Sequence, residues 1–244
     1  MSSIRPIIVI AGIGNGSGTG AATARVFAKT GYRVALIARN ADHLNKVVTE
    51  LTQAGGEAAA FPIPGYSYGA VTSVVENIRK YQWPSGGKSE IRVGLWNTGA
   101  GVWKGFLDVT EQDLQTVIIL AFQENEVDAL GKRGTLLFTG ATASIRGNVT
   151  TSAFAAGKFA LRALSQSLNK EFGKQNIHAI IDGGILTDLS LSRRSDPQAS
   201  KEWQENANIR LDPESIGKAY FYLASQDKSS WTWELDLRPA HEKW

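Results

Sequence analysis

Ile7-Ile8-Val9-Ile10-Ala11-Gly12-Ile13-Gly14-Asn15-Gly16-Ser17-Gly18-Thr19-Gly20 is the stretch that decides the fold of this chain. Its first half is a continuous β-branched run, the mark of a strand buried on both faces. Its second half places five glycines at the exit of that strand. Gly20, Ala24, Phe27, Ala28 and Gly31 then recur at helical spacing, and they are small enough for a helix to pack closely on a sheet. A glycine-rich strand-to-helix turn lets the backbone approach a ligand. The helix N-terminus behind it offers unpaired N–H groups and a partial positive charge to a pyrophosphate.

Working outward, strand-like and helix-like segments alternate along the chain. Val34 to Ile37, Ala58 to Phe61, Val93 to Trp96, Leu136 to Phe138 and Ile177 to Ile181 read as strands two to six. Between them, Leu44, Val47, Val48 and Leu51, then Val71, Val74, Val75 and Ile78, and later Leu161, Leu164 and Leu168 keep helical spacing. Ile216, Ala219, Tyr220 and Leu223 stripe a last helix, for which Asp212-Pro213 supplies an N-cap and a first-turn proline. Trp233 to Leu237 alternates and is expected to form a closing strand. The pattern predicts an α/β fold: a Rossmann-type doubly wound parallel sheet flanked by helices, in a single domain spanning 1–244.

Composition narrows the function classes. A chain of 244 residues with 43% apolar and 20% charged side chains is an ordinary globule that can bury a core without disulfides. Absence of cysteine removes thiol nucleophiles and thiolate metal sites and is compatible with a reducing cytosol. His43, His178 and His241 lie far apart with no ligand spacing, so no metal site is expected. The net charge of +3 is scattered, which argues against a nucleic-acid partner. Arg5 followed by Ile7 to Ala11 is too short for a signal-peptide core or a membrane span, so the expectation is a cytoplasmic protein without membrane contact.

Gly14, Gly18 and Gly20 have the spacing G-x-x-x-G-x-G. Leu95-Trp96-Asn97-Thr98-Gly99 is similar to an N-N-A-G segment after the fourth strand. Phe154-Ala155-Ala156-Gly157-Lys158 heads the helix where a Y-x-x-x-K motif would stand, and Asp182-Gly183-Gly184-Ile185-Leu186-Thr187 looks like P-G-x-V-x-T. With these four segments, in order and each at a strand end, the chain resembles the short-chain dehydrogenase/reductase family over essentially its whole length. The resemblance implies a nicotinamide cofactor, with Gly14, Gly18 and Gly20 along the pyrophosphate and Asn97 near the adenine-side ribose. Ile185 and Thr187 would meet the carboxamide. The full set of cofactor-binding candidates is Gly14, Asn15, Gly16, Ser17, Gly18, Thr19, Gly20, Arg39, Asn97, Gly99, Lys158, Gly183, Ile185 and Thr187. An acidic residue at the end of the second strand would bond a ribose 2′-OH and repel a 2′-phosphate, but this chain reads Ala38-Arg39-Asn40. Arginine there favours NADP(H) over NAD(H). A second departure is Pro62-Ile63-Pro64-Gly65-Tyr66, where the family places an aspartate near the adenine.

The catalytic positions depart further. In the family a tyrosine hydroxyl transfers the carbonyl oxygen's proton, a lysine four residues on lowers its pKa, and a serine orients the substrate. Lys158 matches the lysine, but Phe154 stands at the tyrosine and Ala141, thirteen residues back, at the serine. Thr142 is the adjacent hydroxyl that could stand in. No tyrosine lies between Tyr81 and Tyr220. A positioned general acid contributes about 10²–10⁴ in rate, so the standard reaction is expected to be severely impaired while cofactor binding survives. The reading is therefore an NADP(H)-dependent oxidoreductase with an altered catalytic triad, acting on CH–OH/C=O or an activated C=C of a small molecule. The alternatives are a catalytically inactive NADP(H)-binding sensor or assembly subunit, and a structural partner that has lost the dinucleotide too.

Three further features carry expectations. The segment from Asp113 to Thr135 is about ten residues shorter than in relatives, about 15 Å of helix, and Asn125 is displaced from any match to the family's catalytic asparagine. Relatives are dimers or tetramers, so a homo-oligomer is expected unless the shortened helix 111–130 prevents it. The polar stretch 188–210, with Arg193-Arg194, sits where relatives carry a mobile substrate lid. Trp231, Trp233 and Trp244 are read as packing residues of a core or subunit interface, with a substrate pocket as the alternative.

Overall fold

The computed structural model describes residues 4–98, 121–149, 151–182, 198, 201–202, 205–206 and 208–241. Six parallel strands make one sheet: β1 (Arg5–Ala11), β2 (Arg33–Ala38), β3 (Glu57–Pro62), β4 (Ser89–Trp96), β5 (Gly134–Thr139) and β6 (Ile177–Asp182). Their order is β3-β2-β1-β4-β5-β6, so the winding reverses between β1 and β4. This is the doubly wound arrangement, which places ligands outside the carboxyl ends of the strands at the reversal.

Helices cover both faces because successive side chains of each strand point to opposite sides. Ile8 and Ile10 of β1, with Val34 and Leu36 of β2, meet α1 (Thr19–Lys29), α2 (Ala41–Gln53) and α5 (Pro213–Ser225). Ile7, Val9 and Ala11 face the other way, toward α3 (Tyr68–Lys80) and α4 (Ser152–Phe172). Phe27 anchors α1 and is fully buried, which contributes about 1.5–3 kcal/mol relative to an exposed ring. Asn40 caps α2 by accepting from the His43 amide at 3.1 Å. Asp212 caps α5 by accepting from the Glu214 amide at 2.7 Å, with Pro213 as its first residue.

The closing strand expected over Trp233 to Leu237 does not form; only an isolated bridge at Glu234 appears there. Side chains claim this segment instead. Both Glu234 carboxylate oxygens lie 3.0 Å from Arg162 Nε on α4, and Leu235 and Leu237 pack on the α1/α5 side of the sheet. The expected helix over 111–130 is also corrected in its described part. Residues 121–123 are helical, but the chain leaves the helix at 124–125. The buried Asn125 amide donates to the carbonyl oxygens of Ile91 (2.6 Å) and Arg133 (2.8 Å), and this turns the chain toward β5. No helix among the described residues is long and apolar enough to cross a membrane.

Candidate functional site

At the reversal point the loop after β1 is pinned to both neighbouring strands. The Gly12 amide donates to the Ile37 carbonyl at 2.9 Å, the Asn97 amide donates to the Ala11 carbonyl at 2.9 Å, and Asn97 Nδ2 donates to the Gly12 carbonyl at 2.8 Å. Gly12 has φ +91°, and a Cβ there would come within 2.8 Å of the Asn97 carbonyl oxygen. A Cβ on Gly20 would overlap the Gly12 carbonyl oxygen. These two glycines therefore set how closely α1 approaches β1. Gly12 was not among the candidates, because spacing counted from Gly14 passes over it.

The loop's outer rim is held by side chains. Asn15 Oδ1 accepts from the Ser17 amide (3.2 Å) and hydroxyl (2.7 Å), Arg25 Nη2 donates to the Gly16 carbonyl at 2.9 Å, and His43 Nδ1 lies 3.1 Å from the Gly14 carbonyl. Unlike α2 and α5, α1 has no side-chain cap: Gly18 is its N-cap, and the first helical bond runs from the Ala22 amide to the Gly18 carbonyl. The amides of Thr19, Gly20 and Ala21 thus precede the helical ladder, and such a terminus can take an anion. The Thr19 hydroxyl beside them is buried without a hydrogen-bond partner.

Arg39 is exposed at the end of β2, next to the capping Asn40. Tyr66, after β3, packs edge-on against Trp96 with ring centroids 5.6 Å apart. Burial pushes the Tyr66 phenol up, and the charge of Arg39 opposes that shift.

At the end of β5 a short 3₁₀ turn, Thr142–Ser144, packs against α4. Ala141 is extended and its amide donates to Ser144 Oγ at 3.1 Å. The turn therefore carries two hydroxyls, Thr142 and the buried Ser144; the second was missed because counting from Phe154 ends on Ala141. Lys158 Nζ donates to the Thr139 carbonyl at 2.7 Å and lies 5.8 Å from the centroid of the Phe154 ring. Burial pulls the Lys158 ammonium down to about 8. Tyr220 also reaches this strand end, with its hydroxyl 3.0 Å from Thr139 Oγ1. Its ring belongs to the α1/α5 layer, across the sheet from the layer of α4. Thr142 Oγ1 accepts from Arg238 Nη1 at 2.6 Å, a contact across 96 positions of sequence.

Gly99, Gly183, Ile185 and Thr187 lie outside the described residues, as do Arg193, Arg194, Trp244 and most of 188–210. Asn125 is tied to carbonyls beside the first half of β4 and the start of β5, at the opposite end of the sheet from the turn. Trp231 stacks on His178 with centroids 4.9 Å apart, and Trp233 is 47% exposed. Glu234 and Asp236 bond Arg162 and Arg238, respectively.

The family model described as enoyl-(acyl carrier protein) reductase matches residues 12–234. The 7alpha-hydroxysteroid dehydrogenase of Clostridium sardiniense is 25% identical over 228 residues, covering 86% of this chain and 83% of that protein. The 3-oxoacyl-[acyl-carrier-protein] reductase of Rattus norvegicus is 28% identical over 193 residues, covering 75% and 77%. Among solved structures, a short-chain dehydrogenase from Rhodopseudomonas palustris superposes with TM-score 0.68 at 27% identity, covering 96% of this chain and 98% of that one. A metagenomic short-chain oxidoreductase solved with NADP shares the fold, with TM-score 0.71 at 21% identity over 98% and 99%.

Proposed function

The chain belongs to the short-chain dehydrogenase/reductase family, and on that premise we propose that it is an NADP(H)-dependent oxidoreductase with an altered proton donor. Its substrate is a small molecule carrying a C=O or CH–OH group, or an activated C=C. One observation carries the reading: the uncapped start of α1, pressed onto β1 by Gly12 and Gly20, is kept in a chain that also keeps a buried Lys158, although Phe154 and Ala141 have no transferable proton. The names of the relatives, dehydrogenases and reductases, support the oxidoreductase class, and the neighbour that holds NADP supports the cofactor.

The residues present fit a phosphorylated dinucleotide. Amides at Thr19, Gly20 and Ala21 and the partnerless Thr19 hydroxyl suit a pyrophosphate. Arg39 with the N-terminus of α2 suits a 2′-phosphate. The bound nicotinamide supplies or accepts a hydride. Lys158, held on the Thr139 carbonyl, is within its layer to position the ribose, and the hydroxyl of Thr142 donates to the substrate oxygen. In the reducing direction Phe154 has no proton to give the substrate oxygen, so water would supply it.

Titration with NADPH and NADH, followed by tests of NADPH oxidation against carbonyl and activated-alkene substrates, examines this reading. Tighter binding of NADPH and measurable oxidation support it; no binding of either nucleotide sinks it. The loss of both proton-bearing side chains favours a second reading, a cofactor-binding subunit without turnover. NADPH binding with no oxidation across the substrate set is its expected result.

A further inference from the structure

We propose that Arg25 and Glu50 form a latch that positions the glycine loop for its dinucleotide: Arg25 holds the Gly16 carbonyl while Glu50 on α2 holds Arg25, so the loop is set before the cofactor arrives. The latch has a use only if the loop takes a dinucleotide, and in that it rests on the cofactor reading above. Neither residue belongs to any of the sequence motifs.

The latch ties three segments together. Arg25 stands in the second turn of α1, and one proton of its Nη2 goes to the Gly16 carbonyl at 2.9 Å. The same nitrogen and Nε grip the two Glu50 oxygens, at 2.8 Å and 2.5 Å. Two further residues of α2 meet the loop: His43 Nδ1 lies 3.1 Å from the Gly14 carbonyl, and a Cβ on Gly16 would stand 3.3 Å from a Val47 methyl. His43, Val47 and Glu50 are spaced i, i+4 and i+7, so one face of α2 backs the loop.

This backing matters because the loop is otherwise free. Gly14 and Gly16 have φ +59° and +98°, a region in which glycine moves at little cost. Backbone that a ligand must itself immobilise lowers affinity by the entropy lost, and a loop fixed beforehand avoids that loss. Electrostatics act in the same direction. A carbonyl oxygen repels a phosphate, and the charge-assisted bond from Arg25 engages the oxygen of Gly16. Since the peptide is planar, fixing that oxygen also fixes the Ser17 amide, which donates to Asn15 Oδ1 at 3.2 Å. The bond to Arg25 holds the Glu50 carboxyl below its ordinary value, so the pair stays ionised at neutral pH. The two side chains are 34% and 46% exposed. Exposed pairs contribute little to global stability, so the effect of this one falls on the loop.

The test uses the full chain as wild type, Arg25→Met, Arg25→Lys, Glu50→Gln and the Arg25→Met/Glu50→Gln double variant. Dissociation constants for NADPH and NADH are read from nicotinamide fluorescence, and urea unfolding reports the fold. Arg25→Met is expected to weaken both nucleotides by a common factor of about ten, with the unfolding midpoint near that of the wild type. Glu50→Gln removes a negative charge, which on long-range attraction alone would tighten an anionic ligand; the latch requires instead that both nucleotides weaken, about threefold or more. Arg25→Lys should recover part of the loss, because an ammonium lacks the planar fork that serves Glu50 and Gly16 together. The double variant should bind no worse than Arg25→Met, since Glu50 then has no guanidinium to hold. Weaker binding at an unchanged midpoint, partly rescued by lysine, is what a merely structural pair would not give. Where Arg25→Met fails to fold, Glu50→Gln carries the test. Wild-type affinity in Arg25→Met, equal or tighter binding in Glu50→Gln, additive losses in the double variant, or a loss confined to NADPH overturns the latch. A wild type that binds neither nucleotide overturns instead the reading on which it rests.

Discussion

Asn97 Nδ2 donates to the carbonyl oxygen of Gly12 across 2.8 Å and so ties the end of β4 to the turn that leaves β1. Two loops 85 positions apart thereby form one rigid floor at the point where the sheet reverses its winding. That floor, rather than the number of glycines, makes the approach of α1 specific. Gly20 and Gly12 touch it directly, whereas Gly14 has nothing within 4 Å of where its Cβ would be.

A first prediction follows from that contrast. Gly20→Ala forces α1 away from backbone that cannot yield; it should cost about 1–3 kcal/mol and abolish NADPH binding. Gly14→Ala meets only the penalty of its left-handed conformation at φ +59°, about 1–2 kcal/mol, with no steric overlap. Urea unfolding together with NADPH titration of the two variants checks this. Normal cofactor affinity in Gly20→Ala would contradict the close-packing argument.

Restoring the missing acid is the second prediction. Phe154 lies beside Lys158, whose ammonium is already 5.8 Å from the centroid of the ring. Phe154→Tyr should therefore raise NADPH-dependent carbonyl reduction by about 10²–10⁴ with little change in NADPH affinity. Steady-state rates on the best carbonyl substrate supply the measurement. Unaltered rates with cofactor still bound would show that the substrate oxygen lies elsewhere.

The third concerns cofactor choice. Arg39 is an exposed cation one residue before Asn40, the N-cap of α2. Arg39→Asp should lower NADPH affinity about a hundredfold and improve NADH binding, because a carboxylate repels a 2′-phosphate and accepts from a 2′-hydroxyl. Dissociation constants for both nucleotides at low and high salt decide it. Parallel changes for the two would remove Arg39 from the discrimination.

A fourth prediction uses His178, which is fully buried on β6, with Nε2 2.5 Å from the Thr232 carbonyl oxygen and the ring stacked on Trp231. Burial pulls this imidazole down to about 4, and the Lys132 cation adds to the effect. Between that value and the ordinary 6.5, the unfolded chain binds a proton that the native chain refuses. Stability should therefore fall as the pH drops through this window, by about 3 kcal/mol at full effect. His178→Gln should lose this slope, as measured by urea unfolding between pH 7 and 4. A wild-type slope retained by the variant would assign the effect to other groups.

Periodicity made the six strands and the five described helices legible, because each buries one face and repeats apolar residues at its own interval. The glycine loop was legible for a related reason: close approach of α1 to β1 needs bare backbone at Gly12 and Gly20, and bare backbone shows in the sequence as absent side chains. Phe154 and Lys158 stand four residues apart at the head of one helix, a spacing legible in the chain, whereas the interval that ended on Ala141 passed over the Ser144 hydroxyl of the same turn.

Contacts between distant segments were not legible. Trp233 to Leu237 alternates like a strand, yet Arg162 and the apolar face of α5 hold it as a strap, and only folding brings those groups to it. Asn125 carries the residue type of a catalytic amide and is instead spent on the carbonyls of Ile91 and Arg133. Gly12 is singled out among five glycines only by the Asn97 carbonyl above it. Arg238 meets Thr142 across 96 positions. The sequence by itself determined the layers and the glycine-rich turn after β1, because local intervals record which face of each element is apolar or bare. The tertiary structure alone decided which polar groups meet, because hydrogen bonds form between atoms a few ångströms apart and leave no periodic trace along the chain.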